Sequence, residues 1–109
     1  MRTIPEKDWK QMRSIKERVL DDACARILTS VESIVQNREG RNHEAYRALW
    51  ALLGKEDDKI ALMFNDFKRS TALLMLAQWH SNGLVSESDL ALFSAETRNT
   101  VKAITEIGR

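Results

Sequence analysis

Residues 64–74 read FNDFKRSTALL, and the fold turns on whether this stretch lies inside a helix. Two phenylalanines, Phe64 and Phe67, stand among Asp66, Lys68, Arg69, Ser70 and Thr71. At 100° per residue, Phe64, Phe67, Thr71 and Leu74 share one face, while Asp66, Lys68 and Arg69 fall off it. Asp66 and Arg69 have the i, i+3 spacing of a surface ion pair. Ser70, at the edge of the face, can bond back to the Asp66 carbonyl. A packed helix accounts for every residue. The sharper reading makes Asp66, Arg69 and Ser70 a polar patch that grips a partner.

Outward from this stretch the helical pattern continues. Tyr46, Leu53, Ile60, Phe67 and Leu74 recur every seven residues, with Leu49, Met63, Phe64 and Thr71 on the same side. Such a seam is written for a partner helix. Gly54 interrupts it at a cost of about 1 kcal/mol and marks a bend, or else the start of a fresh helix. The preferred reading is one bent helix over about residues 42–82, with Asn42 as its cap and Glu44 in its first turn. Asn82, Gly83 and Leu84 supply the polar, left-handed and apolar positions of a Schellman stop.

Upstream, Thr3 and Glu6 have capping-box spacing and Pro5 suits a first turn. Trp9, Met12, Val19, Ala23, Ile27, Val31 and Ile34 follow at helical spacing, which predicts a helix over about 4–37, stopped by Gly40. Downstream, Ser86 and Asp89 form a second capping box for a short helix over about 86–93. Ser94 caps a last helix over about 94–107 that presents Val101 and Ile104. The four-residue connection at Arg38–Arg41 makes the long helices antiparallel. The expectation is an all-α single domain over 1–109: a long antiparallel helical hairpin, with two short C-terminal helices folded onto its Ala72–Trp79 end. That end is apolar almost all round and needs cover on more than one side. A bundle completed by dimerisation follows, because two short helices do not cover the whole hairpin.

Composition narrows function. The chain has 109 residues, 43% apolar and 30% charged, with 17 basic and 16 acidic side chains. That size suits one domain, and the balanced charge gives no pull toward nucleic acid or an anionic membrane. Cys24 is the only cysteine, so no intramolecular disulfide and no cysteine zinc cluster forms. The opening MRTIPEKDWK lacks the apolar core of a secretory signal, and no run reaches membrane-span length. A cytoplasmic setting is expected.

Candidate chemistry is sparse. Neither His43 nor His80 follows a glutamate at the Glu-x-x-His spacing of di-metal bundles, and KEDDK at 55–59 lacks the glycine and alternating oxygens of a calcium loop. No metal or cofactor is expected. On a straight hairpin Cys24 lies far along the axis from both histidines, which makes it a small buried hydrophobe rather than a nucleophile. Glu56 falls near Arg26, an expected pair inside the seam.

The functional expectation is therefore a non-enzymatic protein–protein interaction or regulatory module. It would bind itself or another helical protein. Trp50, Met63, Phe64 and Trp79 are its candidate contacts, since aromatic residues and methionine are enriched at interfaces. The alternative is a nucleic-acid-associated regulator using the basic turn at Arg38, Arg41 and Arg47 with the Arg98 helix, recognisable by steep salt dependence.

Overall fold

Helix α1 (Glu6–Gln36) and helix α2 (Asn42–Phe64) form the antiparallel hairpin in a computed structural model that describes residues 3–107. The outermost residues of the expected 1–109 domain lie outside the described residues. A 3₁₀ turn (Arg69–Thr71) leads into α3 (Ala72–Ser81), followed by α4 (Glu87–Leu90) and α5 (Ala95–Ile107). The fold is all-α, with no strand among the described residues.

α1 begins two residues later than its sequence signals place it. Pro5 is the N-cap and makes no side-chain cap bond, so the Thr3–Glu6 box does not form. Ile4 is drawn into the core instead, and Glu6 pairs with Arg69 across the fold. At the tip, Gly40 takes a left-handed φ of 74°. Asn42 does not cap α2. It lies inside the helix, and its Oδ1 accepts a hydrogen bond from Arg38 Nη1.

α2 runs without interruption through Gly54 and ends at Phe64. The long second helix expected over 42–82 is thus two helices, and FNDFKRSTALL is the joint between them. The polar residues that a helix tolerates on its surface compete here for the backbone. Lys68 is extended, and the Thr71 hydroxyl donates to the carbonyls of Asp66 and Lys68. The all-round apolar Ala72–Trp79 segment explains why the break is favourable. A straight helix would leave it in water, whereas the joint folds α3 back along the hairpin and under α5.

The core gathers at this folded-back end. Trp79 is fully buried, its ring 5.5 Å from Phe64 and 6.1 Å from Phe67, and its Nε1 donates to the Met63 carbonyl. Phe67 also packs on Trp9 at 4.8 Å. α3 closes with the expected Schellman stop: Leu84 N–H donates to Trp79 O, Gly83 N–H to His80 O, and Gly83 has φ 74°. The Ser86–Asp89 capping box forms as read. The whole measures 54 × 23 × 23 Å. Its C-terminal half thickens one end of the hairpin and leaves the tip end two helices wide.

Candidate functional site

Three of the four candidate contacts, Met63, Phe64 and Trp79, are core residues. The fold-back of α3 over the end of α2 buries them, and they are not available to a partner. Trp50 is different. It is 63% exposed, and it has company: Leu28 (59%), Tyr46 (59%), Val35 (50%) and Leu53 (39%) are also open to solvent. Tyr46 and Trp50 meet edge to face at 6.4 Å.

Helix geometry shows why these side chains form one surface. Facing α1, helix α2 turns Ala45, Leu49 and Leu52, all half-buried. Tyr46, Trp50 and Leu53 lie about 100° around the helix from that line. On α1, Ala23, Ile27 and Ile34 face α2, and Leu28, Val31 and Val35 lie displaced by about the same angle. Because the helices are antiparallel, the two displacements fall on the same side of the hairpin. The result is a continuous apolar face of six side chains, three from each helix. Exposed apolar residues scattered singly need no explanation, but a contiguous face does.

The seven-residue repeat through Tyr46 and Leu53 therefore marks the outward face of the hairpin at the tip end, not the seam between its helices. Leu28 and Val35 were missed on α1, although their i, i+7 spacing is the same signal.

The opposite side of the hairpin is polar and partly filled. A groove of about 150 Å³ there is lined by Arg26, Ser30, Glu56 and Lys59 over a floor including Ala23 and Met63. The expected Glu56–Arg26 pair is absent. Arg26 reaches instead to the carbonyls of Asn82 and Gly83, 2.7 Å from each, where it neutralises the C-terminal end of α3. Glu56 pairs with Lys59 at 3.6 Å.

In the polar patch, too, the expected ion pair does not form. Arg69 does not meet Asp66. Its Nε donates to the Ile4 carbonyl and its Nη1 lies 2.8 Å from Glu6 Oε2, tying the joint to the start of α1. Asp66 pairs with Lys68 at 3.5 Å, and Ser70 is exposed, its expected bond to the Asp66 carbonyl made by Thr71.

Other polar groups hold helices together. The Asp8 carboxylate, 1% exposed, accepts bonds from Ser94 N–H, the Ser94 hydroxyl and the Thr97 hydroxyl at the start of α5. Burial pushes this carboxyl up, but the bonds from Ser94 and Thr97, helped by Lys7, outweigh it and leave it below its ordinary value. His80 does not lie at a far end of the molecule, since the fold-back carries the end of α3 toward Arg26. Its Nε2 is 3.0 Å from Glu87 Oε1. The basic residues of the tip are engaged locally, Arg38 with Asn42 and Arg41 with the Asn37 carbonyl and Glu44. Arg98 donates to the Phe93 carbonyl. Among the described residues no three metal-ligating side chains cluster, and no helix is long and apolar enough to cross a membrane.

No protein-family model, curated protein or solved structure matches this chain.

Proposed function

We propose that this chain is a non-enzymatic helical interaction module of the cytoplasm, which docks the apolar face of its hairpin onto another helical surface, its own or that of a second protein. The observation that carries this reading is the face itself: six exposed or half-buried apolar side chains, including Tyr46 and Trp50, side by side on the side of the hairpin opposite the Arg26 contact with the end of α3. Tyrosine and tryptophan dominate the centres of interfaces, where truncating one typically costs about 1–2 kcal/mol or more. The polar groups point the same way. Asp8, Arg26, Arg69 and the His80–Glu87 pair each join one element to another, a structural use that accounts for them without chemistry.

The test compares the wild type with Trp50→Glu and Leu28→Glu, both at exposed positions where the fold tolerates a charge. The solution mass and the proteins retained on the immobilised chain are measured for each, with circular dichroism to confirm unchanged helix content. Self-association or a specific helical partner that is lost in both variants is the expected result. Association that is indifferent to both substitutions contradicts the reading, and retained nucleic acid released by high salt would favour the basic-turn alternative.

A further inference from the structure

The occupant of the face is the next question, and an answer rests on the reading above. We propose that it is a second copy of this chain, packed antiparallel about a two-fold axis, so that the tip of each hairpin lies over the acidic middle of the other.

Register and charge carry the proposal. The short connection from Gln36 at the end of α1 to Asn42 at the start of α2 sets the level of α2 against α1, and Ile34 lining a cleft with Ala45 agrees with it. Tyr46 then stands level with Ser33, Trp50 with Thr29, and Asp57 with Asp22. The apolar face is centred near the level of Ser30 and Trp50. Below it lies an acidic belt: Glu17, Asp21 and Asp22 on α1, with Glu56, Asp57 and Asp58 on α2, against only Arg18, Lys55 and Lys59. Arg18 pairs with Asp22, and Lys59 with Glu56. Asp21 and Asp57 belong to the side of the hairpin that carries the apolar face. Above the face, the tip carries Arg38 and Arg41 with Glu39 and Glu44, and Arg47 and Glu32 stand at the level of the face itself, so this end has no acidic excess.

A two-fold axis across the hairpin at the level of Trp50 stacks α1 on α1 and α2 on α2, each pair antiparallel. Trp50 meets Trp50 of the second copy near the axis, and Leu28 meets the Val31–Val35 stretch. Asp21 comes level with Arg38 of the second copy, and Asp57 with Arg41. The packing with both tips at one end would instead leave the two acidic belts side by side. Like charges set face to face in this way are what selects one arrangement against the other. A closed two-fold pair uses the same patch on both copies, as this face allows.

Cys24 makes the geometry measurable. In the antiparallel pair it lies opposite Val35 of the second copy, whereas the two native thiols stand about 16 Å apart along the axis. Disulfides form only when the Cα atoms approach within about 7 Å. Mild oxidation of full-length Val35→Cys is therefore expected to give a covalent dimer. The wild type is expected to give none, and the double variant Cys24→Ser/Val35→Cys to lose it. Trp50→Glu is expected to weaken the dimer at least tenfold. A wild type dimeric by light scattering whose Val35→Cys variant does not cross-link, or whose double variant still does, overturns the antiparallel packing and leaves the interaction face standing. A monomeric wild type overturns the second copy as occupant. The face reading survives that result if a helical protein partner is retained in a Trp50-dependent manner, and fails with it if none is.

Discussion

Asp8 shows how a single residue joins distant parts of the chain. Its carboxylate accepts three hydrogen bonds from Ser94 and Thr97, more than 80 positions away, and so caps α5 from outside. Replacing it with Asn leaves at least one of these donors facing an amide. Asp8→Asn is expected to cost about 1–3 kcal/mol at neutral pH. The carboxyl titrates lower in the folded chain than in the unfolded one, so its contribution is present above the ordinary value of 3.8 and is lost as pH falls through the folded value. Thermal unfolding of both proteins across pH should show their midpoints converging in acid; a constant gap would refute the assignment. The sequence shows Ser94 as a cap, because cap and helix are adjacent. It does not show Asp8, because nothing local announces a partner at the other end of the chain. Phe67 belongs to the same scale. Held between Trp9 and Trp79, it should cost about 3 kcal/mol when changed to alanine, measured by urea unfolding. A loss under about 1 kcal/mol would mean the joint is not packed as described.

Among the elements, the joint at residues 65–71 decides the architecture. All-α character, the hairpin, the Schellman stop and both C-terminal helices are legible, since each rests on local periodicity or a cap. The break is not. Phe64, Phe67, Thr71 and Leu74 keep helical spacing straight through it, and the competing bonds of Thr71 are weak signals beside that pattern. The tertiary gain from covering Ala72–Trp79 outweighs the local preference. Gly54, the expected bend, is an ordinary position in the middle of α2, where an added methyl group would meet nothing within 4 Å. Gly54→Ala should therefore stabilise the protein by about 0.5–1 kcal/mol. Chemical denaturation checks this, and a destabilised variant would place a functional bend where the helix is continuous.

At the scale of the whole molecule, the C-terminal helices make one end of the hairpin three-dimensional and leave the other a bare pair. An uncovered stretch of hairpin was legible in outline, because two short helices do not cover a long hairpin. Which side chains that stretch leaves exposed was not, because the aromatic residues nearest the joint, Phe64 and Trp79, look like contacts until α3 folds back and buries them. Of the four candidate contacts, Trp50 remains outside, beside its exposed apolar neighbours. The apolar face as an interaction surface is tested most directly by light scattering of the purified chain over a range of concentrations, beside Trp50→Glu. We expect the wild type to move from the 12.5 kDa of one chain toward twice that mass as concentration rises, and the variant to stay at the mass of one chain. A wild type and variant with the same mass at every concentration would contradict self-association through this face.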